Sequence, residues 1–154
     1  MYVIKKKLLF LSFYFRKMIQ RIQTVYLIIA AVIAGGLPFV FGLWTNNEGV
    51  EVFAKDDITY LGLFVGSAVL SIVAIFMFKN RQSQFVLDRL NIILNFILLG
   101  LFVYRSLSLS GEASDVSEKG IGILLPIFSI VFLVLANKAI KKDEELVKSV
   151  DRLR

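Results

Sequence analysis

The chain has no cysteine and no histidine. Thiolate and imidazole ligation are therefore excluded, and with them His- or Cys-ligated haem, thiolate-bound iron–sulfur clusters and the usual zinc sites. Cysteine nucleophiles, histidine general bases and disulfides go by the same two absences. Proline is scarce, with Pro38 and Pro126 the two examples, so long helices meet few breakers. Charge is missing from four long stretches: 24–44, 58–78, 90–104 and 120–137 carry none. The polar segments between them are too short to fold as a second domain.

What is present is apolar. Hydrophobic residues make up 57% of the 154, more than a soluble domain of this size can hide from water. The first two stretches have the length of a membrane-spanning helix, and the fourth is just long enough. The third is short at 90–104 and must begin near Phe85 to cross a hydrocarbon core of about 30 Å. The sequence thus predicts an all-α integral membrane protein. Its four transmembrane helices, at about 24–44, 58–78, 85–104 and 120–137, lie in a domain 18–137. Pro38 and Pro126 fall at similar depths in the outer halves of the first and last spans. The tail 138–154 lacks Gly and Pro, has good helix formers, and sets Leu146, Val150 and Leu153 on one face. It is expected to extend the last helix as an amphipathic, cytoplasmic element.

Basic residues set the orientation. Lys5, Lys6, Lys7, Arg16, Lys17 and Arg21 precede the first span. Lys79, Arg81 and Arg89 lie between the second and third, and Lys138, Lys141, Lys142, Lys148, Arg152 and Arg154 follow the fourth. The opposite side has Lys55, Arg105 and Lys119, among the acids Glu48, Glu51, Asp56, Asp57, Glu112, Asp115 and Glu118. The positive-inside rule places both termini and the loop between the second and third spans in the cytoplasm. The net charge of +6 reflects this topology and contact with anionic lipid; nucleic acid is not an expected partner. Five basic residues precede Met18, and residues 1–17 read as an N-terminal arm, an over-extension upstream of a start at Met18. The apolar run 8–15 is followed by Arg16-Lys17 and not by a small-x-small site, which argues against a cleaved signal peptide.

Two constellations stand out. In the second span, Gly62-x-x-x-Gly66 is followed by Ser67-x-x-x-Ser71, small residues that permit close helix approach within the bundle or between copies. In the third, Asp88, Asn91 and Asn95 are spaced i, i+3, i+7 and form one polar stripe. Such residues serve as hydrogen-bonding glue between helices, or else line a solute or ion path. Asp88 at the inner boundary is expected to pair with Arg89, and Trp44 to sit in the outer headgroup belt. No catalytic, cofactor-binding or metal-ligating set is expected: the outer acids are spread along short loops, and no glycine-rich loop fits a phosphate.

Three segments together resemble a known family. They are Met18-Ile-Gln-Arg-Ile-Gln-Thr-Val-Tyr-Leu27, the region from Arg81 to Asn95 with its Leu-Asn-Ile-Ile-Leu-Asn, and the tail from Leu135 to Arg154. The chain resembles, from Met18 to Arg154, an uncharacterised family of small four-helix membrane proteins of Bacteroidetes-type bacteria, catalogued as a domain of unknown function. The resemblance implies inner-membrane placement and a start at Met18, and it transfers no activity, cofactor or site residue. The function expected is non-catalytic: an interaction or assembly (accessory) protein whose partners are the bilayer and other membrane proteins or itself. The alternative is a small oligomeric transporter or channel using the stripe on the third helix.

Overall fold

The computed structural model describes residues 1–19, 22–45, 48–109 and 121–153. Along them run α1 (Tyr2–Ile19), α2 (Ile22–Gly35), α3 (Leu37–Val40), β1 (Trp44–Thr45), β2 (Glu51–Val52), α4 (Ile58–Phe76), α5 (Arg81–Leu109) and α6 (Leu125–Arg152). Single 3-10 turns precede α4 at Ala54–Asp56 and α6 at Ile121–Leu124. Arg21, the outer-loop residues Glu112, Asp115, Glu118 and Lys119, and the terminal Arg154 lie outside the described residues.

The first apolar stretch is not one helix to Trp44. The helix stops at Gly35, Gly36 turns, and Pro38 opens the four-residue α3 at a position where its missing N–H is not needed. A Cβ on Gly35 would stand 3.0 Å from the Ala68 Cβ, so α2 and α4 approach closely here. After α3 the chain becomes extended. β1 and β2 form a short antiparallel hairpin that pairs Trp44 with Val52 and Thr45 with Glu51. Gly49, with φ of 76°, takes the left-handed conformation that glycine adopts without steric cost in its turn.

Asp57 starts α4 by accepting the Thr59 N–H at 3.0 Å. After the turn at 77–79, Asn80 accepts from the Ser83 N–H at 3.3 Å and α5 begins at Arg81. That is one turn earlier than the expected start near Phe85, and α5 continues to Leu109. The turn at Ile121–Leu124 hydrogen-bonds to the strand region, with the Gly122 N–H donating to the Gly42 carbonyl at 3.0 Å. Pro126 then lies in the first turn of α6, which needs no N–H there, so it starts that helix and does not bend its middle. From Leu125 to Arg152 the helix is unbroken, so the charged tail is a direct continuation of the apolar part.

Helices α2, α4, α5 and α6 close into a bundle. α2 packs on α4 and α6, and α5 packs on the same two. Inward faces follow helical spacing: Leu27, Ala30 and Ala34 on α2, and Leu133, Ala136 and Ile140 on α6 are 0–1% exposed. The outward faces are apolar as well, with Val32, Val69, Ile93, Phe96, Ile97 and Val131 all exposed. Water does not tolerate so continuous an apolar exterior, whereas lipid does. Ile22–Val40, Ile58–Phe76 and Arg81–Arg105 are long and apolar enough to cross a membrane. The apolar part of α6 packs beside them and meets its first charge at Lys138.

α1 is a helix over the whole N-terminal arm. Its described side chains, including Tyr2, Ile4, Leu8, Leu9 and Phe10, are exposed.

Candidate functional site

Polar side chains gather inside the bundle, along the inward face of α5. Gln84, Asp88, Asn91 and Asn95 are each 0% exposed and follow one another at i, i+4, i+7 and i+11. The predicted stripe therefore exists and is one residue longer than predicted. Gln84 falls outside an expected helix that begins at Phe85, which is why it is not in the predicted set.

The upper half of this ladder is closed by α4. The Ser67 hydroxyl donates to Asn91 Oδ1 at 2.6 Å. Asn91 Nδ2 donates to the Ser67 carbonyl at 3.0 Å and to Ser71 Oγ at 2.8 Å. Asn95 Nδ2 reaches Ser67 Oγ at 2.9 Å, the Asn91 carbonyl at 2.8 Å and Asn91 Oδ1 at 3.1 Å. Ser67 and Ser71 are 1% and 0% exposed. Two serines four residues apart and two asparagines four residues apart thus interlock across the α4–α5 contact. In a medium without water each such bond contributes about 0.6–2 kcal/mol.

The glycines on α4 do something else. A Cβ on Gly62 would meet nothing within 4 Å, and one on Gly66 would meet only Leu94 Cδ1 at an ordinary 3.5 Å. Gly62 lies outside the face that carries Phe64, Ser67, Ser71 and Ala74 inward, so the close intramolecular approach expected at this pair is not made. The tight approach falls instead at Gly35 and Ala68.

At the lower end, Gln23 Nε2 donates to Gln84 Oε1 at 3.2 Å, joining α2 to α5. Between this pair and the serine–asparagine cluster stands Asp88. The expected pairing with Arg89 is absent. The Arg89 guanidinium lies 4.4 Å from the Phe85 ring centroid and is exposed, while neither Asp88 oxygen has a hydrogen-bond partner. Neighbouring positions on a helix diverge by about 100°, so a carboxylate that faces the core leaves the next residue facing out.

The opposite end is aromatic. Trp44, expected near the outer headgroups, is covered by protein: its ring packs edge-on against Tyr60 at 5.2 Å, and Tyr60 stacks on Phe102 at 4.8 Å. Arg105 covers Trp44 at 3.9 Å from the ring centroid, a cation–π contact that holds the hairpin down on the bundle.

These arrangements join helices. Among the described residues no group of three or more His, Cys, Asp or Glu side chains could hold a metal ion. Comparison with known families matches residues 19–153 to one described as Domain of unknown function (DUF4293). No curated protein and no solved structure matches the chain.

Proposed function

We propose, from the premise that the chain belongs to the DUF4293 family, a domain of unknown function, that it is a non-catalytic interaction or assembly protein of a bacterial inner membrane. The reading places four transmembrane helices in the bilayer, both termini in the cytoplasm, and α6 as the arm that reaches a partner.

One observation carries the reading. Beyond the bundle α6 continues as a charged helix with an uncovered apolar face: Leu146 is 57% exposed, Val150 61% and Leu153 89%. Charges of both signs flank that face, and Glu144 pairs with Lys148 at 3.0 Å across one turn. At the exit from the bundle, Arg81 meets Asp143 at 3.2 Å and ties α6 to the start of α5. An apolar seam bordered by mixed charges suits another helix better than a purely anionic surface, so the partner envisaged is a helical segment of another membrane protein.

The alternative, a small oligomeric transporter or channel, draws less support from Asn91, whose amide oxygen and nitrogen are both engaged by α4 serines, and from Asn95, whose amide nitrogen is engaged while its oxygen has no partner. The test is affinity purification in a mild detergent. The interaction reading predicts a stoichiometric second protein that is lost from the double variant Leu146→Glu, Val150→Glu, with the bundle's melting temperature unchanged. Recovery of a homo-oligomer alone, equally from wild type and variant, would favour the alternative.

A further inference from the structure

One rung of the ladder has no hydrogen-bond partner at any polar side-chain atom. Asp88 is 0% exposed, and both of its carboxylate oxygens lack a partner. A bare carboxylate in an apolar bundle is costly unless something neutralises it. Neither oxygen is hydrogen-bonded by a described cation. Arg81 is paired with Asp143 at the bundle exit, Arg89 lies over Phe85, and Lys138, Lys141 and Lys142 are exposed. Gln84, one turn below on the same helix, has a free Nε2, but a neutral donor would leave the charge uncompensated.

Helix register shows what surrounds the carboxylate. The Arg81–Asp143 pair fixes α5 against α6, and about two turns above it Asp88 is level with Ala136 and Asn137. The Gln23–Gln84 bond fixes α2 against α5 and brings Thr24 to within about a turn of Asp88. The Asn91–Ser71 bond does the same for α4 and brings Ala74 level. By the same register Leu27 of α2 is level with Asp88, and Leu27, Ala74 and Ala136, each 0% exposed, pack in one apolar cluster that offers the carboxylate no donor. Thr24 Oγ1 and Asn137 Oδ1 are buried oxygens that also lack partners. The unpartnered groups near Asp88 are thus mostly oxygens, the ligand type that hard cations take.

We propose that Asp88 anchors a buried site for one monovalent alkali cation, with Thr24 Oγ1 and Asn137 Oδ1 as neutral oxygen ligands. A single positive charge makes the site neutral, whereas a divalent ion would leave a net charge in the apolar interior and has no second carboxylate to meet it. The site lies apart from the exposed face of the α6 tail and does not depend on how that face is used.

The test uses the full chain in lipid nanodiscs, titrated with sodium chloride or potassium chloride against choline chloride at equal ionic strength. Thermal midpoint is the readout, because a ligand that binds the folded state raises it saturably. Wild type shows a saturable rise with one of the alkali ions. Asp88→Asn loses that rise while its midpoint in choline is equal or higher. Thr24→Val, which keeps the carboxylate, and Asn137→Leu each raise the half-saturating concentration severalfold. If Asp88→Asn does not fold, the latter two decide: unchanged half-saturation in both overturns the site. A wild-type midpoint that is the same in all three salts, together with an infrared C=O stretch of a protonated carboxyl that vanishes in Asp88→Asn, also overturns it, because a proton then neutralises the group.

Discussion

Asn91 makes more interhelical bonds than any other residue of the ladder. Its amide donates to the Ser67 carbonyl and the Ser71 hydroxyl, and its oxygen accepts from the Ser67 hydroxyl and from Asn95. Asn91→Leu removes all of these and leaves Ser67 and Asn95 short of partners. The variant still inserts, because leucine is favoured in hydrocarbon, but its stability in detergent falls by about 1–2 kcal/mol. Ser71→Ala removes one acceptor and costs about 0.6 kcal/mol. Equilibrium unfolding in mixed micelles checks both, and an Asn91→Leu protein as stable as wild type would show that the cluster is not what holds α4 to α5. The stripe itself was legible, because Asp88, Asn91 and Asn95 repeat at helical spacing in an otherwise apolar segment. Its partners were only half legible. Ser67 and Ser71 stood out as small residues, and nothing local in the sequence says that they face asparagines. Asp88 was misplaced, because a helix judged from its uncharged core is too short and puts the aspartate at the boundary beside Arg89. Asn80 caps α5 earlier and moves Asp88 a full turn into the bundle.

At the level of elements, the irregular parts carry tight packing. Gly122 sits where the turn before α6 meets the hairpin strand, and a Cβ there would stand 2.6 Å from Leu43 Cδ2 and 2.8 Å from the Gly42 carbonyl oxygen. The leucine can move, but the backbone oxygen cannot move without breaking the Gly122–Gly42 hydrogen bond. Gly122→Ala is therefore expected to destabilise by about 1–3 kcal/mol, as overpacking does in a filled core. Gly62→Ala, with open space around its Cβ, is expected to be neutral or slightly stabilising in its helix. Parallel thermal melts of the two variants separate these outcomes, and a Gly122→Ala melt matching wild type would contradict the packing described. The helices α4 and α6 were legible from their uncharged runs and from the absence of breakers in the tail. The end of α2 was less so, because Gly35, Gly36 and Pro38 permit either a bend or a stop. Here the chain stops and turns into a two-stranded hairpin whose strands of two residues are too short to show a period.

The whole molecule is an apolar bundle with polar rungs inside, apolar faces outside, and one helix, α6, that continues past it as a charged tail. Three helices satisfy the length and apolarity of a membrane span. For α6 the decision rests on its lower half, since charge begins at Lys138 and the helix continues without a break to Arg152. If α6 crosses, the tail and the hairpin lie on opposite sides of the bilayer. If it does not, they lie on the same side. The cysteine-free sequence makes this directly measurable. Glu48, in the hairpin turn, and Ser149, on the tail, are both exposed and each can be replaced by cysteine. The measurement is labelling of Glu48→Cys and Ser149→Cys by an impermeant thiol reagent in intact spheroplasts and after lysis. The account predicts that Glu48→Cys reacts in intact spheroplasts and Ser149→Cys only after lysis. Labelling of Ser149→Cys in intact spheroplasts would contradict it, and would leave the apolar face of the tail on the wrong side of the membrane for a cytoplasmic partner.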